Sequence, residues 1–148
     1  MPDRKDPVGI YRFKVEIDGL QVGGFSDVSG LEAEIEVYEY AEGGRNGFKH
    51  IFPKGQKYPR LVLKRGIIDY RLYKWYSDCV ACTNGLKSLR KNGAVHLLDR
   101  EGNDFMIWNF TGAYPVKCTG PQLKSTGTEI AIESYELVHQ GLTMKSAK

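Results

Sequence analysis

Long apolar runs are missing from this chain: nothing in it approaches the roughly 18 residues that a membrane-spanning helix requires. The opening residues, MPDRKDPVGI, lack the apolar centre of a signal peptide, so Sec-dependent secretion is not expected. Cysteine is scarce. Cys79, Cys82 and Cys118 cannot all pair, which argues against a secreted disulfide framework and fits folding in a reducing compartment. A zinc site would need two further ligands beside the Cys79-x-x-Cys82 pair, yet His50, His96 and His139 stand singly in strand-like sequence. There is no G-x-S-x-G elbow, P-loop, H-E-x-x-H or dinucleotide-binding glycine fingerprint, so no familiar catalytic class announces itself. No Gly/Ser linker or low-complexity tract divides the 148 residues. The expectation is one domain over 1–148, with a short arm at about 1–9, a tail at about 143–148, no catalysis, no metal and no cofactor.

What is present is β-forming. Seventeen glycines and nine tyrosines suit a turn-rich chain of strands. Alternating stretches rich in Val, Ile, Tyr and Phe predict strands near 10–18, 22–40, 47–52, 59–65, 93–98, 104–112 and 128–140. One helix interrupts them. From Asp69, the sequence DYRLYKWYSDCVACTNG places Leu72, Trp75, Tyr76, Cys79 and Cys82 on one face, with Asp69 as N-cap and Gly85 as stop. Both thiols of the C-x-x-C pair lie on that apolar face and are expected in the core rather than in redox chemistry. The fold class is mainly β with one α-helix, an antiparallel barrel or sandwich.

Charge is segregated along the chain. Residues 1–48 carry a net −5, residues 49–91 a net +9 and residues 92–148 a net −1. The basic middle admits three readings: a solvated face, a nucleic-acid groove, or a surface that meets the acidic block of another copy. For the groove, Lys49, Lys54, Lys57, Arg60, Lys64 and Arg65 would track a backbone, with Phe48, Phe52 and Tyr58 as stacking platforms. The acidic block holds the stretch DVSGLEAEIEVYEYAEGG, in which Glu32, Glu34 and Glu36 alternate with Leu31, Ala33, Ile35 and Val37. Paired carboxylates can act as acid and base when burial separates their pKa values, but three in a row on one strand face describe an anionic surface. His139, in YELVHQGL, reads as a packed or interface imidazole rather than a base.

Four segments in order carry a family resemblance: FSDVSGLEAEIEVYEYAEGG, YPRLVLKRG, Trp108 through AYPVKCTGPQL, and IAIESYELVHQGL. Together, from about Tyr11 to Leu142, the chain resembles the tail tube proteins of contractile phage tails and phage-like extracellular injection systems, with type VI secretion tube proteins as more distant relatives. The resemblance implies hexameric rings stacked into a hollow tube inside a contractile sheath, with DNA or protein effectors in the lumen. Partners would be the sheath protein and baseplate or tube-initiator proteins. A tube-initiating ring protein near the baseplate is the alternative within the family. Assembly in the bacterial cytoplasm, then residence in a virion or injection particle without membrane insertion, follows from the same likeness.

Within that reading Glu32, Glu34 and Glu36 are expected to face the lumen, with Leu31, Ala33, Ile35 and Val37 toward the subunit core. The loop comprising Glu39, Glu42, Gly43, Gly44, Arg45 and Asn46 is expected to reach the adjacent ring. Lys64, Arg65, Arg71 and Lys74 are expected to form a basic patch facing the sheath or the next ring. The strands near 22–40, 47–52, 93–98 and 104–112 are expected to line the tube, their open edges completed by neighbouring copies.

Overall fold

The computed structural model describes residues 12–20, 23–41, 49–82 and 89–147. Nine strands and one helix follow in the order β1 (Arg12–Ile17), β2 (Phe25–Ser29), β3 (Glu34–Ala41), β4 (Lys49–Lys57), β5 (Leu61–Gly66), α1 (Arg71–Val80), β6 (Lys91–Leu98), β7 (Asp104–Thr119), β8 (Ile132–Val138) and β9 (Gly141–Ser146). Seven strands form one antiparallel sheet in the order β1-β6-β7-β8-β5-β2, with β9 pairing β7. Among the described residues, β3 and β4 pair only with each other. Among the described residues the large sheet stays open, because β1 and β2 end the path and do not pair. The sandwich half of the expectation therefore describes this chain.

The long strand β7 belongs to both halves of the sheet. Its first part is laddered to β9 as far as Thr111 and to β6 as far as Ala113, and its second part, from Tyr114, to β8. The change of partner falls at Gly112, whose φ of 61° lies in the left-handed region. A Cβ there would stand 2.5 Å from Gln140 Oε1, so that side chain would have to move, and the positive φ itself disfavours any other residue. The two halves then close on a single core. Val15, Ile17 and Val95 come from one side, Leu61, Leu63, Tyr135 and Leu137 from the other, and Phe110 and Ala113 from β7. Leu72 and Trp75 of α1 complete it.

The helix forms where the 3.6-residue period placed it, with Tyr76 and Cys79 packed against the same core. The expected N-cap is shifted by one residue: Tyr70 holds the cap position without a side-chain cap hydrogen bond, and Asp69 Oδ1, just before it, accepts the Arg71 N–H at 3.1 Å, while the expected stop at Gly85 lies outside the described residues. Trp75 Nε1 donates to the Leu89 carbonyl at 2.8 Å and anchors the far side. Cys79, Cys82 and Cys118 are partly buried and form no disulfide with one another. Burial pushes the Cys79 thiol up, away from the thiolate that redox work would need.

Three expectations are corrected. The strand predicted over 22–40 is two strands with a break at 30–33. Gly30 has φ 88°, and a Cβ on it would lie 2.1 Å from the Arg60 carbonyl oxygen, so the chain must leave the sheet here. The Glu32 N–H donates to the Gly30 carbonyl at 2.8 Å and tightens the turn. The predicted tail is also too long, because residues 141–146 form β9 against β7. Finally, the strand expected over 47–52 runs on to Lys57.

Candidate assembly surface

After the turn at Gly30, β3 and β4 stand clear of the main sheet as a hairpin. Leu31 still packs against the core, but Ile35 is 59% exposed and Val37 49%. Ala33 is exposed as well. The expectation that Ala33, Ile35 and Val37 face the subunit core is thus corrected: the core ends at Leu31, where the chain departs from the sheet.

The hairpin changes character along its length. Glu34 lies opposite Lys57, Glu36 opposite Gly55, Val37 opposite Pro53 and Tyr38 opposite Phe52. Lys54 is the extra residue of a bulge between Gly55 and Pro53. Pro53 has no N–H to donate, which an edge strand at a bulge tolerates. Alternation puts Glu34, Glu36, Tyr38 and Phe52 on one face, and Ile35 and Val37 with Pro53 and Gln56 on the other. Tyr38 and Phe52 are about half exposed. The hairpin is therefore apolar on one face near its base and aromatic on the opposite face beyond the bulge.

Glu32, Glu34 and Glu36 are all exposed. They do not form an uninterrupted acidic strip, since Glu32 precedes β3 and Lys57 stands across from Glu34. Glu39 lies on the face of Ile35 and Val37 and is exposed. Glu42, Gly43, Gly44, Arg45 and Asn46, the rest of the predicted stacking loop, lie outside the described residues.

The predicted basic patch is not one surface. Leu61, Leu63 and Arg65 alternate inward along β5, so Lys64 points to the other side of the sheet. Arg71 and Lys74 lie exposed on α1, across the sheet from Lys64. Arg65 is buried, 1% exposed, which corrects its assignment to a patch. Its Nε donates to Glu133 Oε1 at 2.6 Å and its Nη2 to Asp69 Oδ1 at 2.9 Å. Tyr135 donates its hydroxyl to Glu133 Oε2 at 2.9 Å. Burial works against the guanidinium charge, but the hydrogen bonds to Glu133 and Asp69 outweigh it and hold the Arg65 pKa above its ordinary value. Asp69 is held below the usual aspartate range by the Arg71 N–H and then by Arg65. The Tyr135 hydroxyl is pushed up by burial and by Glu133.

A nucleic-acid groove does not assemble from the basic middle either. Arg65 is in the core, Arg60 pairs with Glu136 at 3.5 Å and Lys57 faces Glu34. Phe48 lies outside the described residues.

Sequence reasoning missed two groupings. At the corner between β5 and α1, Ile67, Ile68 and Tyr70 are exposed, with Ile68 at 70%. The run GIIDY was the available signal. On the sheet, His96 lies between Glu16, 3.4 Å from its Nε2, and Asp104, 3.3 Å from its Nδ1. Lys14 stands 3.6 Å and 3.9 Å from the same two carboxylates. Three strands supply these groups, so no linear motif could reveal them. An open groove of about 960 Å³ runs between the outer edge of β1 and α1, floored by Val15, Ile17, Leu20 and Trp75. Among the described residues, no three or more His, Cys, Asp or Glu are grouped to hold a metal ion.

The model of the T4-like virus tail tube protein gp19 family matches residues 10–143. The chain belongs to this family. A tail tube family chain is a structural protein rather than an enzyme. A chain in the cryo-EM structure of the anti-feeding prophage tube-terminating cap is similar over 98% of this chain and 95% of its own, with 26% identity and a TM-score of 0.84. A chain in the extended sheath-tube complex of the PVC extracellular contractile injection system shares 24% identity, with coverage of 95% and 93% and a TM-score of 0.82. Hcp1 from Flavobacterium johnsoniae shares the fold more loosely, at 15% identity and a TM-score of 0.57 over 93% of this chain and 97% of its own. No curated protein matches the chain. No helix among the described residues is long and apolar enough to cross a membrane.

Proposed function

We propose that the chain is the structural inner-tube subunit of a contractile tail or injection system. Copies close into hexameric rings, and the rings stack into a hollow conduit for DNA or protein effectors within a sheath. Assembly takes place in the bacterial cytoplasm, before the tube becomes part of a virion or injection particle. Membership of the tail tube family supports the class of particle, and the count of six comes from the family resemblance.

The observation that carries the reading is the β3–β4 hairpin. It is laddered only to itself and exposes large apolar side chains on both faces. A two-stranded ribbon is marginal alone in water, and its open edges invite pairing with another chain. Heterologous contacts between identical copies cover such a ribbon and, when the rotation closes, make a ring.

Negative-stain microscopy and sedimentation velocity of the purified protein test this directly. Annular particles or hollow rods are expected, and rods longer than one ring mark a bulk tube subunit rather than an initiator. A monomer that persists at high concentration overturns the proposal.

A further inference from the structure

Two of the exposed apolar surfaces among the described residues differ in charge. On the hairpin, the aromatic pair Tyr38 and Phe52 shares its face with Glu34 and Glu36. Glu36 lies opposite Gly55, where an added Cβ would meet nothing within 4 Å, so the space beside its carboxylate is open. At the corner between β5 and α1, Ile67, Ile68 and Tyr70 run directly into Arg71, while Lys74, one turn further along the helix, pairs with Asp78 at 3.5 Å. The one acid inside this run, Asp69, is turned onto Arg65 and the Arg71 N–H.

The corner is firmly held. Arg65, anchored by Glu133, grips Asp69 from beneath, and the Ile67 N–H donates to the Ala131 carbonyl at 2.9 Å. It therefore presents a fixed apolar and basic platform. The hairpin presents an aromatic and acidic one.

We infer that the hairpin face bearing Glu36, Tyr38 and Phe52 docks on the β5–α1 corner of a second copy, with Glu36 meeting Arg71 and the aromatic rings covering Ile67 and Ile68. This rests on the tube-subunit reading and adds to it a named pair of surfaces. The occupant is a second copy because each surface supplies what the other lacks: acid beside exposed rings, base beside exposed isoleucines. Made in one direction from each copy to the next, the contact is heterologous and propagates, unlike a reciprocal exchange between two copies, which would close as a dimer.

Charge reversal tests it. Glu36→Lys changes an exposed side chain facing an open space, and Arg71→Glu places an acid in the first turn of a helix, where the dipole favours it. Circular dichroism and thermal unfolding of dilute protein should leave both variants as folded as the parent. Each alone should raise the concentration for half-assembly by roughly tenfold, read by sedimentation velocity. The chain carrying both changes, and an equimolar mixture of the two single variants, should each return to the parent value, because every interface again joins opposite charges. Single variants that assemble like the parent, or defects that add in the combined chain, overturn the inference while annular particles of the parent leave the tube-subunit reading standing. A parent that forms no rings at any concentration overturns both.

Discussion

Arg65 and Glu133 are direct cross-strand partners on β5 and β8, joined at 2.6 Å inside the core. The pair sits beneath the β5–α1 corner and reaches the helix through Asp69. Removing Arg65 leaves Glu133 as an uncompensated buried charge, whereas Arg65 without Glu133 keeps Asp69 at 2.9 Å, and removing both leaves no unpaired core charge but takes the acceptor from the Tyr135 hydroxyl. Arg65→Ala should therefore lower stability by about 3–5 kcal/mol, a fall of about 10 °C or more in Tm. The double change Arg65→Met with Glu133→Leu should recover most of that loss. Thermal unfolding followed by circular dichroism checks both.

His139 contributes a pH dependence of known sign. Burial lowers its pKa from the ordinary value of 6.5, and its ring lies 5.2 Å from that of Tyr58. A group depressed in the folded state is protonated first in the unfolded chain. Its contribution is present above pH 6.5 and is lost as pH falls from there toward the folded value. Urea unfolding of the parent and of His139→Gln should show a stability difference that is constant above about pH 7 and shrinks toward about pH 5.

Gly30 is a position where a methyl group has nowhere to go. Gly30→Ala meets both a positive φ and the Arg60 carbonyl, and should cost about 3 kcal/mol. Gly120→Ala, where nothing lies within 4 Å of the added Cβ, should stay within about 0.5 kcal/mol of the parent. Denaturant midpoints compared at equal m-value read the difference.

The hairpin face bearing Ile35 and Val37 should matter for association and not for folding. Ile35→Thr with Val37→Thr keeps β-branched residues on β3 but removes apolar surface that the single chain leaves exposed. The folded monomer should keep its Tm, while the concentration for half-assembly rises about tenfold or more. Sedimentation velocity of parent and variant over a concentration series decides it.

These residues also show how far the amino-acid order reaches. The helix was readable because Leu72, Trp75 and Tyr76 repeat at its period and all pack inward. The strand through Ile35 and Val37 alternates just as cleanly, yet the single chain leaves both exposed. Alternation records that a face is apolar and does not record which body covers it. The break at Gly30 was hidden for the same reason, since the two-residue rhythm runs across the turn without a change of composition. Arg65 was misplaced although a signal existed: it continues the inward register of Leu61 and Leu63, as Glu133 continues that of Tyr135 and Leu137. Charge suggested solvent, and position pointed to the core. The corner formed by Ile67, Ile68 and Tyr70 depends on how β5 meets α1, which no local pattern encodes.

Strand β7 gives the subunit a mechanical spine. Its first part, from Asp104 to Ala113, is stitched to β6 and β9, and the remainder, from Tyr114 to Thr119, to β8. A load applied along it is carried by three ladders together, in shear, so that many hydrogen bonds must fail at once rather than one after another as in peeling. The two leaves of the sandwich then deform as a unit, and stiffness in the wall of any tube made from such copies begins inside each one.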